Sequence, residues 1–277
     1  MTLSGSFLAM SGSVTGRDHR LVERDGQDGH AVVSSDDVVA AIVTDGCSSG
    51  RASEIGARVG AAWLAALIEQ SFCGVDGASA ARAAAGFVSC TLLDRLEVLA
   101  RSFDPAGHIS AARVDAALLF GFLAAVVTPA TTIVFGIGDG IVIVDGTVTV
   151  IDPGPENAPP YLAYALLGGG AVRGDGAVRG DGDGDGDGGA RVSVEPRIHF
   201  AGATADVDAI GVATDGVAPL VNAVEALDGA RASLAGIVAD PRYTKNPSLL
   251  RKRLIVLSGA GTFADDATIA LVRRRPA

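Results

Sequence analysis

Short apolar runs rich in β-branched residues recur along the chain, and each one ends in glycine, aspartate or another turn residue. Runs of this length and composition are typical of buried β-strands, because β-branched side chains favour an extended backbone. Residues 30–44 are predicted as two strands joined by a polar turn at Ser34 to Asp37. Further strands are predicted at 115–127, 131–137, 141–145, 147–151, 210–213 and 267–273.

Other segments carry their apolar residues at helical spacing. An amphipathic helix is predicted from Ser53 to Gln70, and a second long helix at about Ser79 to Ser102. The residues expected to share one side of the first helix are Ile55, Val59, Trp63, Ala66 and Leu67. Shorter helices are predicted near 217–227, 230–239 and 247–257. Because strands group with strands and helices with helices, the pattern indicates an α+β layered fold and not a parallel βαβ sheet.

One uncharged stretch, Ala116 to Gly138, approaches the roughly 20 residues that a transmembrane helix needs. Its two β-branched runs are separated by Thr128-Pro129-Ala130. Since proline lacks the backbone donor of a helix interior, the stretch is predicted as a hairpin of buried strands. The N-terminus shows no basic stretch followed by an apolar segment, so we expect a cytoplasmic protein with no signal peptide and no membrane partner.

Composition narrows the function classes. The 277 residues are almost half apolar, which is enough for a large core, and the formal charge is −10. Without a basic aromatic patch, nucleic acid is not expected as a partner. The cysteines Cys47, Cys73 and Cys90 form no CxxC pair, and no histidine lies at zinc-ligand spacing. We therefore expect neither a disulfide framework nor a structural zinc site, and a monomer with a single domain over 1–277.

A Gly/Asp-rich low-complexity tract occupies about 168–190. The hexapeptide AVRGDG occurs at 171–176 and again at 177–182, and Asp-Gly alternation follows. Such a tract has little apolar area to bury, so it is interpreted as a flexible insertion within the domain. Calcium-binding repeats are the alternative, but these need a hydrophobic residue in each repeat, and 183–188 has none.

Five aspartates stand where a predicted strand gives way to glycine or a second acid. They are Asp28, Asp45, Asp139, Asp215 and Asp265. One Asp-Gly pair is most simply a turn signal, but repetition at strand ends favours a shared site. Several carboxylates at the rim of a sheet are costly to desolvate, and a hard divalent cation would neutralise them.

The order of five segments resembles the metal-dependent serine/threonine phosphatases of the protein phosphatase 2C type, in particular bacterial members. The segments are QDG at 27–29, TDGCSSGRASEIG at 44–56, GIGDGIVIV at 136–144, GVATDGV at 211–217 and ADDATIALV at 264–272. The resemblance extends from about Gly16 to Arg273 and leaves out the Gly/Asp-rich tract. It implies a four-layer α-β-β-α sandwich, in which two antiparallel sheets are flanked by helix pairs and cations lie at one end.

The resemblance also implies roles for particular residues. Asp45 would bridge two cations, with the Gly46 carbonyl holding one of them, and Asp28, Asp215 and Asp265 would complete the site. Asp139 would hold a third cation together with Asp215. Mn²⁺ or Mg²⁺ suits these oxygen ligands. Two such ions would activate a shared water for in-line attack on phosphoserine or phosphothreonine in a protein substrate, with Asp45 and Asp215 the residues most directly involved.

The chain departs from the family pattern at two positions. Cys47 stands where many eukaryotic members have a histidine after Asp-Gly, and Glu23 where the phosphate-binding arginine is usual. Arg20 and Arg24 are the neighbouring candidates for phosphate binding. The departures leave open a catalytically weak phosphatase-like sensor or binding module. A calcium-dependent surface protein built on the Asp-Gly tract is a third alternative, and it would require an export signal that the sequence does not show.

Overall fold

A computed structural model describes residues 2–154, 159–167, 195–221 and 233–276. The Gly/Asp-rich insertion predicted at about 168–190 lies outside the described residues. So do part of the helix predicted near 217–227 and the beginning of the one predicted near 230–239. The fold below is therefore that of the described ranges.

Ten strands of the described residues form two antiparallel sheets. The strands are β1 (Phe7–Val14), β2 (Gly29–Ser34), β3 (Val39–Gly46), β4 (Phe120–Val127), β5 (Thr131–Ile137), β6 (Gly140–Val144), β7 (Thr147–Ile151), β8 (Arg197–Ala203), β9 (Ala209–Ala213) and β10 (Ala267–Arg274). One sheet has the order β1-β10-β9-β6-β7, and the other has the order β2-β3-β4-β5-β8.

Eight helices accompany the sheets in the described residues, and the longest of them cover the outer faces. They are α1 (Leu3–Ser6), α2 (Arg17–Leu21), α3 (Ser53–Phe72), α4 (Ala78–Ser102), α5 (Ala111–Ala117), α6 (Leu234–Ala239), α7 (Arg242–Lys245) and α8 (Ser248–Gly259). Three short 3-10 segments occupy Leu162–Leu167, Thr204–Asp206 and Asp215–Leu220. The predicted second long helix is confirmed by α4, and the predicted helix near 247–257 by α8.

Three apolar layers hold the fold together. Alternate residues of β3 show the arrangement: Ala40 and Ile42 pack towards α3 and α4, while Val39 and Val43 pack between the two sheets. A third cluster, which includes Leu250 of α8, lies on the outer face of the other sheet. Strand β3 is buried on both faces, which explains why its sequence is continuously apolar. The predicted four-layer α-β-β-α sandwich is confirmed.

The predicted apolar side of α3 coincides only in part with its buried face, since Leu67 is buried and Trp63 packs partly buried against the core, but two members of the set are exposed. Ile55 is 43% exposed and Ala66 is also exposed, whereas Leu64 and Ile68 are fully buried. The helix turns its small residues inward: a Cβ on Gly60 would lie 2.4 Å from the Phe120 ring. Close approach of the helix to the sheet, rather than the apolar count of a face, therefore decides which side is buried.

The predicted hairpin within 116–138 is confirmed, with a correction at its beginning. Strands β4 and β5 pair antiparallel, and the Thr128 hydroxyl accepts a 3.1 Å bond from the Thr131 amide across the turn. Residues 115–117, predicted as strand, belong to α5 instead, and β4 begins at Phe120. Among the described helices, none combines the length and the apolar character needed to cross a bilayer.

Candidate metal centre

A cavity of about 340 Å³ lies at one end of the sandwich, where several strands begin or end. The predicted site residues that line it are Asp28, Asp45, Gly46, Asp139, Asp215 and Asp265. The other lining residues are Gln27, Cys47, Ser48, Ser49, Pro159, Tyr161, Tyr164 and Asp266. The structure thus brings all five predicted aspartates together, from positions spread over most of the chain.

Strand pairing explains how the first two aspartates meet. Gly29 pairs with Thr44 in the hairpin of β2 and β3, so Asp28, just before β2, and Asp45, near the end of β3, lie at the same edge. The antiparallel register places the beginning of one strand beside the end of the next. The Asp28 side chain is almost fully buried there.

Asp139 lies in the link between β5 and β6, which belong to different sheets. This link crosses the end of the sandwich and carries the carboxylate over the cavity. The glycines on either side have positive φ angles, +110° at Gly138 and +128° at Gly140. Because side chains with a Cβ avoid these angles, the Gly-Asp-Gly sequence is what allows the sharp crossing.

Asp215 and Asp265 come from the end of β9 and the segment before β10, which pair with each other. Hydrogen bonds between two threonines stabilise this junction. The Thr214 amide donates to the Thr268 carbonyl at 3.1 Å, and the Thr268 amide donates to the Thr214 hydroxyl at 3.1 Å. The Thr214 hydroxyl in turn donates to the Asp28 carboxylate at 2.9 Å, which links the last motifs to the first.

Asp266 is a site residue whose role the sequence does not reveal. It is 3% exposed and accepts bonds from the amides of Gly16 at 2.7 Å and Gln27 at 2.5 Å. The His19 Nδ1 lies 2.9 Å from its second oxygen. Asp266 therefore anchors the segment that carries Asp28, whereas Asp265 lines the cavity and accepts only the neighbouring Asp266 amide, at 2.8 Å, among the hydrogen bonds of the described residues. In the sequence the only signal is the adjacent pair of aspartates, and it does not indicate which of them lines the cavity and which binds the backbone amides.

The electrostatics of the cavity fit a bound cation. Burial, followed by the charges of Asp266 and Asp265, raises the pKa of Asp28 to about 8. Burial and the neighbouring aspartates, with Asp28 first, hold the pKa of Asp45 well above its usual range. Burial and Asp215 raise the pKa of Asp139 to about 6.

No lysine or arginine is among the described residues that line the cavity, so its six carboxylates have no such counterion there, and only Asp266 has His19 beside it. Crowded carboxylates whose ionised forms are disfavoured gain most from a hard divalent cation, because the cation offsets both the repulsion and the lost hydration. Carboxylate oxygens, with a backbone carbonyl such as that of Gly46 within reach of the cavity, form a donor set suited to Mg²⁺ or Mn²⁺.

The cavity lining also includes a thiol and two tyrosines that the sequence did not single out as a group. The Cys47 sulfur lies 3.1 Å from the Ser49 hydroxyl. Burial acts to raise the pKa of Cys47, but hydrogen bonds with Ser49 and Tyr161 lower it overall. Burial raises the pKa of Tyr161, so its hydroxyl keeps its proton and can donate. The rings of Tyr161 and Tyr164 are 5.6 Å apart.

Arg20 and Arg24, the predicted phosphate-binding residues, are not brought to the cavity. The Arg24 guanidinium donates to the carbonyls of Ser48, at 3.1 Å, and Gly50. It therefore holds the loop that follows Asp45 and Gly46. Arg20 is exposed, on α2.

Comparisons with known proteins agree with this architecture. The sequence model of the family described as "Protein phosphatase 2C" matches residues 15–160. A search of curated proteins gives no match. Among solved structures, the serine/threonine phosphatase Stp1 from Staphylococcus aureus is similar, with a TM-score of 0.54 and 15% identity over 99% of this chain and 97% of that chain.

Two further solved structures share the fold. PppA, described as a key regulatory component of T6SS in Pseudomonas aeruginosa, has a TM-score of 0.58 and 14% identity over 97% of this chain and 98% of that chain. The catalytic domain of the phosphatase PstP, described in complex with two manganese ions, has a TM-score of 0.50 and 14% identity over 98% of this chain and 99% of that chain. At these identities the likeness concerns the fold.

Proposed function

We propose that this chain, which belongs to the protein phosphatase 2C family of metal-dependent serine/threonine phosphatases, removes phosphate from serine and threonine side chains of proteins at a centre of two or three divalent cations. The observation that carries the proposal is the convergence of Asp28, Asp45, Asp139, Asp215 and Asp265 on one cavity. We also propose that 1–277 is one phosphatase domain, into which the tract at about 168–190 is inserted.

Asp45, with the Gly46 carbonyl, and Asp28, Asp215 and Asp265 would hold two cations. Asp139 would hold a third one together with Asp215. When bound, Mn²⁺ or Mg²⁺ ions supply an activated water and screen the charge of the phosphoryl oxygens. The two manganese ions of the PstP structure support this part of the proposal, because that protein shares the fold.

The chain's own residues would orient the ligands. The Thr214 hydroxyl donates to one oxygen of Asp28, and hydrogen bonds with Thr268 and Thr214 both favour the ionised form of this ligand by lowering its pKa against the effect of burial. Asp266 fixes the backbone before Asp28 through the Gln27 amide. Such supporting hydrogen bonds set the direction of ligand oxygens and tune the affinity of a metal site.

Cys47 and Tyr161 line the cavity, and they would be the groups beside the leaving oxygen of a bound substrate. A thiol with a lowered pKa gives up its proton more readily than an ordinary thiol, so Cys47 is the chain's own candidate for protonating the leaving alkoxide. The protonated Tyr161 hydroxyl would then hold the sulfur in place. This assignment places an acid where many eukaryotic members have a histidine.

A manganese-dependent assay on p-nitrophenyl phosphate and a phosphothreonine peptide tests the proposal. Asp45→Asn should abolish turnover and leave the fold intact, because it removes a charge without removing volume. Asp94→Asn, at an exposed position on α4, is the matched control and should keep full turnover. Near-normal turnover of Asp45→Asn at saturating Mn²⁺ would show that the assignment is wrong.

A metal-binding sensor with little turnover is the second candidate. The observation that favours it is the position of Arg20 and Arg24 away from the cavity, since a phosphate would then lack an arginine partner among the described residues. Calorimetric Mn²⁺ binding without hydrolysis of either substrate would establish the sensor. Hydrolysis that depends on Mn²⁺ would exclude it.

A further inference from the structure

A second cavity, of about 390 Å³, lies on the side of the sandwich, where α8 covers the edge formed by β1 and β2. We call it the side groove. Each of these strands is the terminal strand of its sheet in the described structure. Apolar side chains of the groove include Met10, Val32 and Ile255. Two cations, Arg251 and Lys252, line it as well.

The groove is built on a close contact between helix and strand. A Cβ on Gly12 of β1 would lie 2.9 Å from the Cα of Arg251, so the helix rests directly on the strand. The buried residues Leu250 and Leu254 hold α8 on the sheet. Lys252 and Ile255, on a different side of the helix, are exposed. The helix that carries the cations is therefore packed on the sheet through one side, and Arg251, Lys252 and Ile255 are exposed on another.

The floor of the groove is fixed across the two sheets. The Ser11 hydroxyl of β1 and the His30 Nδ1 of β2 are hydrogen bonded at 2.8 Å. Val32 on β2 is 41% exposed, and Ile255 on α8 is 48% exposed. Apolar side chains left open beside a fixed polar contact provide a preformed surface, since no rearrangement is needed to present them.

The charge of the groove is opposite to that of the chain. The formal charge of the whole chain is −10, yet no acidic residue is among the described residues that line the groove. Within the described ranges, neither Arg251 nor Lys252 takes part in a salt bridge. Two unpaired cations next to apolar side chains suit a ligand that has carboxylates and apolar groups a few ångströms apart.

We propose that the side groove binds an acidic segment with interspersed apolar residues, in extended conformation, that belongs to the phosphoprotein substrate. Val32 and Ile255 would contact its apolar side chains, while Arg251 and Lys252 would pair with its carboxylates. A polynucleotide fits less well, because it has no apolar side chains and needs a larger basic surface. Naming the substrate in this way rests on the phosphatase function proposed above.

The position of the groove supports a role in substrate binding. Val14, at the end of β1, pairs with Ala267, the residue after Asp266. Ser11 lies three positions before Val14, so about 10 Å of extended strand separates the groove from the end of β1, which lies beside the segment of Asp265 and Asp266. An extended peptide covers that distance in about three or four residues. One substrate segment could therefore occupy the groove while a nearby phosphorylated side chain reaches the cavity.

Direct binding tests the groove without any need for catalysis. A short fluorescein-labelled peptide of alternating glutamate and leucine, without phosphate, is titrated with protein and followed by fluorescence anisotropy. Reversing both cations (Arg251→Glu with Lys252→Glu) should weaken binding by about tenfold or more, because two attractions become repulsions. The matched control (Arg82→Glu with Arg95→Glu), on α4, changes the total charge equally and should leave binding within about twofold. Equal weakening by both pairs, or equal binding of a peptide with lysine in place of glutamate, would overturn the proposal.

A second pair of variants tests the apolar contacts that the groove is proposed to make with the peptide. Ile255→Ala should weaken binding by about fivefold through lost apolar contact, whereas Val98→Ala, at an exposed position of α4, should not. Melting curves establish that each variant is folded. Unchanged binding of folded Ile255→Ala would show that the groove does not receive apolar side chains.

Kinetics then separate the groove from the phosphatase function. With a phosphopeptide that carries the same acidic segment, the doubly reversed groove variant should raise KM by about tenfold, with kcat and p-nitrophenyl phosphate hydrolysis unchanged. Peptide binding without any hydrolysis would refute the phosphatase proposal and would leave the proposal that the groove binds an acidic segment standing. Hydrolysis of p-nitrophenyl phosphate without peptide binding would refute the proposal for the groove and leave the phosphatase proposal standing.

Discussion

The hydroxyl of Thr214 donates a 2.9 Å hydrogen bond to the carboxylate of Asp28, although 186 positions separate the two residues in the chain. Thr214 directly follows β9 in one sheet, and Asp28 directly precedes β2 in the other sheet. The bond therefore fixes a carboxylate from one layer against the backbone of the other. It also stabilises the ionised form of Asp28, which burial disfavours.

Thr214→Val should weaken Mn²⁺ binding by about tenfold, because Asp28 loses a donor to its ionised form. The variant should also lower the free energy of unfolding by about 1–3 kcal/mol, since the buried Thr268 amide loses its acceptor. Calorimetric titration and denaturant melting measure the two effects. Thr132→Val, which breaks the remote 2.9 Å hydroxyl pair with Thr204, should reduce stability and leave Mn²⁺ affinity unchanged. A loss of affinity in both variants would indicate general loosening of the fold.

Asp139→Ala should still bind two Mn²⁺ ions while reducing the rate of hydrolysis. Asp139 enters the cavity from the crossing link and not from the strand ends that carry the other carboxylates, so its removal should leave the remaining ligands in place. Calorimetric stoichiometry and turnover at saturating Mn²⁺ measure the two quantities. Loss of all metal binding would contradict this role.

The free energy of unfolding of metal-free protein should fall as pH rises from about 4 to about 8. Folding raises the pKa of Asp28 from 3.8 to about 8 and that of Asp139 from 3.8 to about 6. A raised carboxyl pKa contributes stability below the unfolded value, and that contribution is lost as pH rises through the folded value. Denaturant melting in chelator across this range measures the slope. Asp28→Asn should flatten it, and an unchanged slope would show that Asp28 does not titrate as described.

Added Mn²⁺ or Mg²⁺ should raise the melting temperature, and chelator should lower it. Carboxylates about 4 Å apart repel each other by about 1 to 4 kcal/mol per pair at effective dielectrics between water and a protein surface. A cation that binds only the folded state adds stability that grows with the logarithm of its concentration. Neutralising Asp215 or Asp265 should blunt the response and make the metal-free protein more stable. A melting curve insensitive to both Mn²⁺ and chelator would refute the clustered-carboxylate site.

Gly60→Ala should destabilise the protein by about 1–3 kcal/mol, because the added Cβ would meet the Phe120 ring at 2.4 Å. Gly86→Ala, inside α4, is the matched control: no atom lies within 4 Å of its added Cβ. That change should be neutral or stabilise by up to about 1 kcal/mol through helix propensity. Denaturant melting of both variants measures the difference. Equal effects would show that α3 does not need a small residue at this contact.

Local patterns were sufficient for eight of the ten described strands, the long helices and the positions of the five aspartates, but they did not predict β1 and β8. Strand β5 and the turn after it illustrate the reason: a β-branched run fixes an extended backbone, and Gly138-Asp139-Gly140 then permits only a turn. Both signals act between neighbours in the chain. The order of the motifs was also enough to indicate the family and its four-layer fold.

Tertiary structure alone decided the buried face of α3, the different tasks of Asp265 and Asp266, and the place of Tyr161 beside Cys47. Each depends on atoms from distant segments: the Phe120 ring against Gly60, or the Gly16 and Gln27 amides on Asp266. Adjacent acids look alike in sequence, and only the donors that surround them distinguish an anchor from a ligand. The physical reason is that periodicity and turn chemistry are short-range, whereas packing distance, desolvation and charge repulsion act between residues that only folding brings together.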